Sequence, residues 1–290
     1  MFLSLTLFAL LVPFQNHPPV GMILMSGSAV QIQRGTSRTP ARLGDLLYAG
    51  DRVMTGTGQV TFLFCPTNEK ITARTGITVE LGPSAATAPD APALTKVAAK
   101  CALPQVALGA ESLERVGGMR SRGDPAVVLY LGGTISSARP TFTWAPFTGA
   151  REYRLSLADA YGIPVWEFRG EATTASYPDS RPALKDGLYR WNVYAEVDGR
   201  TSGQQNAPLR IKVNTELSAA VSTIDPGAML LRATELENAG YPAEAAGYFR
   251  ALRDLNPGDR RLTRRLVLLY WNAGLIAAMD EELNRLGPPD

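Results

Sequence analysis

The sequence predicts a multi-domain chain, β-rich over most of its length and helical at its C-terminus. Three observations carry that expectation. Short apolar alternations broken by glycine run from Val20 to about Pro83, and a second, aromatic-rich set runs from about Asp124 to Val213. After Ser222 the hydrophobic period changes from two to the helical value. At 290 residues there is room for two or three ordinary domains.

The chain starts MFLSLTLFALLVPF, an apolar run too short to cross a bilayer comfortably but suited to the core of a signal peptide. Residues 1–19 are read as this signal-like segment, with a buried strand or a membrane anchor as the alternatives. No Lys or Arg precedes Arg34, no clear A-x-A cleavage site follows, and no cysteine follows the run to carry a lipid. Processing would leave no stable transmembrane span and place the protein outside the cytoplasm, periplasmic or secreted.

Residues 20–83 form the first β module. GMILMSGSAVQIQRG puts Val30 and Ile32 on one face, and QVTFLFC alternates Val60, Phe62 and Phe64 against Thr61 and Leu63. KITAR and GITVEL follow at strand length. Residues 84–123 are an Ala/Pro-rich connection, in which QVALGAESLERVGG (105–118) is expected to hold a short helix.

Residues 124–215 contain five or six candidate strands, among them PTFTWAP, REYRLSLAD, DGLYRWNVYAEV and PLRIKV. Tyr189, Trp191, Val193 and Ala195 share one face of their strand and are expected in the core. Short alternating strands around buried Trp fit a β-sandwich similar to immunoglobulin and fibronectin type III domains. The aromatics Trp166 and Tyr177 carry an alternative reading, stacking against a carbohydrate or envelope polymer.

Residues 224–290 read as two helical hairpins. Asp225-Pro226 supplies an N-cap and a first-turn proline, and helices are expected over about 226–239, 242–255, 259–273 and 275–286. Gly240 and Gly274 sit at the breaks, spaced by about 34 residues, and Asn238-Ala239-Gly240 repeats as Asn272-Ala273-Gly274. Ala233, Gly240-Tyr241, Ala245, Phe249 and Pro257 resemble the tetratricopeptide (TPR) pattern; the second copy departs from it at Val267 and Met279. A generic four-helix terminus is the alternative. Two repeats bury little surface alone, so the segment is expected to dock on the β domains or on a partner. A concave helical groove implies a protein or peptide partner, with Tyr241, Tyr248, Arg260 and Arg264 as candidate contacts. The arginines of DRRLTRR otherwise form a solvated face.

Composition narrows the chemistry. A single histidine, His17, leaves little scope for imidazole-based catalysis or a His-rich metal site, and no cofactor or metal is expected. With 29 Lys+Arg against 27 Asp+Glu, no nucleic-acid partner is expected. Cys65 and Cys101 are read as one disulfide in an exported chain, or else as two buried thiols. Carboxylate pairs remain for an enzyme: Asp45 with Asp51, or Glu167 with Glu171.

The stretch ARLGDLLYAGDRVMTG bears on that choice. Gly44-Asp45 and Gly50-Asp51 suit turns, glycine supplying positive φ and aspartate bonding nearby backbone. With Gly35, Ala41, Leu47, Val53, Thr55-Gly56 and Gly58, the pattern resembles the FecR-like domain, an extracytoplasmic β module. That resemblance brings no catalytic residues. It implies a non-catalytic bacterial envelope scaffold or sensor, with polymer binding as the alternative and a carboxylate-pair hydrolase behind both.

Overall fold

A computed structural model describes residues 18–89, 91–113, 126–219, 221 and 224–287. Nearly all of the signal-like segment, and the connection beyond Leu113 up to residue 125, lie outside the described residues.

Ten strands build the first unit: β1 (Gly21–Ser26), β2 (Gln31–Arg34), β3 (Ser37–Pro40), β4 (Leu46–Leu47), β5 (Arg52–Met54), β6 (Val60–Phe64), β7 (Glu69–Ala73), β8 (Thr78–Leu81), β9 (Ala86–Thr87) and β10 (Leu94–Ala98). They form two five-stranded sheets, ordered β10-β7-β6-β1-β4 and β3-β2-β5-β8-β9. The stretch read as an Ala/Pro-rich spacer thus supplies an edge strand to each sheet. Edge positions tolerate the small and prolyl residues that a central strand rejects. Ile23, Ile32, Val53, Val60, Phe62, Phe64, Ile71 and Val79 fill the space between the sheets.

Every residue of β6 is buried, where simple alternation expects one wet face. Phe62 and Phe64 enter the inter-sheet core, whereas Leu63, with Met22 and Leu24 of β1, belongs to a second cluster shared with the helices. Covering these three side chains contributes about 1.5–3 kcal/mol each.

The middle unit contains β11 (Gly133–Ile135), β12 (Thr141–Thr143), β13 (Glu152–Asp159), β14 (Pro164–Gly170), β15 (Thr174–Ser176), β16 (Gly187–Val197) and β17 (Arg200–Ile211). One sheet runs β11-β17-β16-β13-β14, with β11 parallel to β17; β12 and β15 pair opposite it. Trp191, Val193 and Ala195 are fully buried, as their parity requires. Trp191 packs on Phe142 and donates its indole N–H to the Leu131 carbonyl at 3.1 Å.

After the short α1 (Thr215–Ser218) come α2 (Pro226–Asn238), α3 (Pro242–Leu255), α4 (Arg260–Asn272) and α5 (Ile276–Leu286). Both hairpins turn in the same way. Gly240 (φ 84°) donates to the Glu237 carbonyl and Tyr241 to Leu236; Gly274 (φ 72°) donates to Trp271 and Leu275 to Tyr270. This is the Schellman cap, in which the residue after the glycine folds back onto the last helical turn.

The helices dock on both β units. Helix α2 lies on β1 so closely that a Cβ at Gly227 would sit 3.0 Å from Leu24. Helix α3 meets β11, where Glu244 accepts the N–H (2.6 Å) and hydroxyl (3.1 Å) of Ser136. The chain ahead of β11 packs on the other hairpin: Tyr130 donates to Glu281 at 2.7 Å, and Gly132 abuts Leu275. One continuous core therefore joins the middle sandwich, the helices and the outer face of the first unit.

Candidate functional site

The two Gly-Asp turns are built alike. Asp45 donates its N–H to the Arg42 carbonyl (3.1 Å) and accepts the Arg42 N–H on Oδ2 (2.8 Å). Asp51 does the same with Tyr48, at 3.1 and 2.9 Å. Gly44 and Gly50 hold φ of 81° and 93°, the left-handed region that such turns demand.

Each carboxylate is then tied to one arginine. Arg34 reaches Asp51 with Nε and Nη2, both at 2.8 Å, and its guanidinium lies 4.3 Å from the Tyr48 ring centroid. Asp45 instead receives Arg261 of α4, Nη1 to Oδ1 at 2.5 Å. Arg261 also bonds the Leu43 carbonyl at 3.1 Å and both oxygens of its own N-cap, Asp259, at 2.9 and 2.8 Å. Burial opposes the Arg261 charge, but Asp259 and Asp45 outweigh it and raise its pKa. One turn therefore locks the first unit internally, and the other latches it to the helical pair.

Residues 101–113 reinforce that latch. The expected helix is absent from residues 105–113, because this stretch spends its polar groups on α2 and α4. Asn238 donates to the Leu103 carbonyl at 3.0 Å, and Arg265 reaches the Val106 carbonyl. Arg265, 3% exposed, also pairs with the fully buried Glu111 and with Glu237, both at 3.0 Å. Burial pushes the Glu237 carboxyl up, and Arg265 pulls against it. Gly109 (φ 88°) lets the chain pass over the Arg261 stem, where a Cβ would sit 2.9 Å from Cγ. The face formed by the first helix of each hairpin is thus occupied by the protein's own chain. The Cys65–Cys101 disulfide anchors the start of this segment beside the end of β6.

The candidate partner contacts divide accordingly. Tyr241 is 3% exposed and donates its hydroxyl to the Lys212 carbonyl at 3.1 Å, so it is a buried strut and not a partner contact. Its place after the capping glycine folds it onto the helix end. Tyr248 is half-buried against the core. Arg260 and Arg264 are exposed, and Arg260 donates to the Leu286 carbonyl at 2.8 Å. The four arginines of α4 do not share one face. Leu262, Leu266 and Leu269 fix its buried stripe, Arg261 and Arg265 border that stripe, and Arg260 and Arg264 point away. That phase is readable from the leucines, although arginine spacing alone conceals it.

The remaining candidates are placed as follows. Trp166 and Tyr177, proposed as exposed sugar-stacking aromatics, are buried and pack edge-to-face at 5.6 Å, which corrects that reading. Glu167 and Glu171 are exposed. Glu167 borders a surface depression of about 580 Å³ with Arg154, Ser156, Phe168, Arg169 and Tyr194, a lining that does not include Glu171. Asp51 borders a depression of about 400 Å³ that does not include Asp45. Among the described residues, no group of three His, Cys, Asp or Glu side chains is placed to hold a metal.

No protein-family model matches the chain, and no curated protein matches it. Among solved structures it is similar to FN3tt, at 12% identity, covering 29% of this chain and 88% of that one, with a TM-score of 0.24. A two-domain fibronectin type III segment of chicken tenascin matches at 12% identity over 67% of this chain and 94% of its own, TM-score 0.24. The FN1–FN3 domains of chicken CNTN1 match at 13% identity over 63% and 56%, TM-score 0.22. The middle unit's own strands, with Trp144 and Trp191 packed between its sheets, define it as an Ig/fibronectin-III-like β-sandwich.

Proposed function

We propose that the chain is a non-catalytic scaffold or sensor module of the bacterial envelope, recruiting a protein partner through the outer surface of its helical pair. The observation that carries this reading is the docking of that pair across both β units, clamped by Arg261 on Asp45 and Arg265 on Glu111. Those carboxylates serve geometry, and the clamp holds three segments in one fixed arrangement.

The FecR-like assignment of the first unit is supported by its matched Gly-Asp turns. The TPR-like assignment is supported by matching caps at Gly240 and Gly274, and by fully buried Ala233 and Ala245 on the contacting helices α2 and α3. Placement outside the cytoplasm is supported by the disulfide, which persists in oxidising compartments. No helix among the described residues is long and apolar enough to cross a membrane.

Because residues 101–113 fill the inner face, a partner engages the outward one, where Arg260 and Arg264 stand exposed. Crosslinking and pull-down from the native envelope fraction test this with wild type and Arg260→Glu/Arg264→Glu. Loss of a specific crosslinked protein in the variant is expected. An unchanged set of partners overturns the assignment of this surface.

A further inference from the structure

The hairpin between β13 and β14 presents apolar side chains on a pre-ordered tip. Asp159 accepts the N–H groups of Tyr161 and Ile163 on Oδ1, both at 2.9 Å, and Gly162 takes a φ of 82° between them. The turn is thus fixed from within, yet Tyr161 is 90% exposed and Ile163 60%. Leu188, 51% exposed, stands one step beyond the Tyr189–Asp159 pair on the neighbouring strand.

The charges around this tip are uncommitted. Arg190 faces Ala158 and Pro208 across the sheet, Arg210 faces Leu188, and Lys185 and Lys212 flank the same end. All four are exposed, and none makes a side-chain hydrogen bond or ion pair among the described residues. Two acidic residues stand among them. Asp159 is used as above, and Asp186 accepts the Val213 N–H at 2.9 Å. Toward the opposite end of the same sheet two arginines are neutralised, Arg154 by Glu196 at 2.5 Å and Arg169 by Glu152 at 2.6 Å, whereas Arg200 stands exposed there away from the apolar tip.

We infer that this end of the middle sandwich docks on an anionic lipid membrane. Tyr161 and Ile163 enter the headgroup–acyl boundary, while Arg190, Arg210, Lys185 and Lys212 meet lipid phosphates. A tyrosine suits that boundary because its ring is apolar and its hydroxyl stays wet. Weak apolar insertion and a basic surround reinforce each other, and reversible membrane attachment commonly combines the two. Tyr161 and Ile163 lie on the hairpin connection itself, and the four cations lie on the neighbouring strands and their flanks, so apolar insertion and phosphate contact can occur together on a deformable lipid surface. The helical pair meets the sheet at β11 and, through Tyr241 on the Lys212 carbonyl, at the end of β17, on the side away from β13 and β14 that carry the tip.

Vesicle co-sedimentation of the full chain tests the inference. Vesicles of phosphatidylcholine with about 30 mol % phosphatidylglycerol should bind it at least about tenfold better than phosphatidylcholine alone, and about 0.5 M NaCl should remove most of that preference. Tyr161→Ser/Ile163→Ser and Arg190→Glu/Arg210→Glu should each lower binding about tenfold or more, with far-UV circular dichroism unchanged. Arg200→Glu, at the opposite end of β16 and β17, should bind as wild type. Absence of binding to the anionic vesicles, equal binding to neutral ones, or an equal loss in Arg200→Glu overturns the inference. So does a tip variant that only converts a self-associated species to monomer, because the tip would then be a contact between copies.

Discussion

Replacing Arg265 by methionine should weaken the protein more than any single surface change. The guanidinium is 3% exposed, and its loss strands Glu111, whose side chain is fully buried, together with Glu237 and the Val106 carbonyl. Methionine fills much of the volume but satisfies none of these groups. Removing one partner of a buried ion pair costs about 3–5 kcal/mol, chiefly because the other charge stays buried. With a urea m-value of about 3 kcal/mol/M, the midpoint should fall by roughly 1–1.7 M. Neutralising the stranded acids in Arg265→Met/Glu111→Gln/Glu237→Gln should recover most of the loss, since apolar or neutral replacement of a whole buried network is often tolerated. Urea titrations of the three proteins, followed by tryptophan fluorescence, measure both effects. A single variant within about 0.5 kcal/mol of wild type, or a triple variant no better than the single, would refute the reasoning.

Three further outcomes follow from named contacts. Gly44→Ala should destabilise well beyond Gly50→Ala: both share the backbone strain of about 1–2 kcal/mol, but only at Gly44 would the new Cβ fall 2.3 Å from Leu108, while nothing lies within 4 Å at Gly50. Thermal melts that rank the two variants equally would contradict this. Cys65→Ser/Cys101→Ser releases a link spanning 36 residues and should cost about 3–4 kcal/mol, read as the urea midpoint against the oxidised wild type. Burial raises the Glu244 carboxyl above its ordinary value, and the Ser136 bonds only partly offset it. A raised folded-state value means its contribution is fully present below the unfolded value of about 4.3 and is lost as pH rises through the folded one. Glu244→Gln should therefore gain on wild type as pH increases from about 4 to about 8, and a difference that stays constant over that range would count against the assignment.

Much of the fold was legible because local chemistry and tertiary structure agree. Asp225-Pro226, Gly240 and Gly274 mark the helix ends, where the structure places α2 and both Schellman caps. The parity of β16 was readable because that strand has one packed face. Alternation misleads at β6, where helices cover the second face; a five-residue strand carries no sign of what lies above it. Strands β9, β10 and β11 were hidden by Ala, Pro and Gly, which edge positions tolerate. The site was less legible. The turn role of Asp45 and Asp51 is local and could be read, but the partner of Asp45 is Arg261, at the far end of the chain on α4. Tyr241 and Arg265 look like surface groups in one dimension; a cap geometry and a helix phase bury them.

The helical pair is the clamp that makes the three segments a single cooperative body. Equilibrium urea unfolding of a Trp271→Phe background with two probes tests this directly, because the remaining Trp144, Trp166 and Trp191 report on the sandwich while circular dichroism at 222 nm reports on the helices, where Trp271 itself lies on α4. Coincident transitions are predicted for the otherwise wild-type chain, and for Arg265→Met both signals should move to lower urea together. A wild-type protein whose helices melt in a separate, earlier transition would contradict the claim.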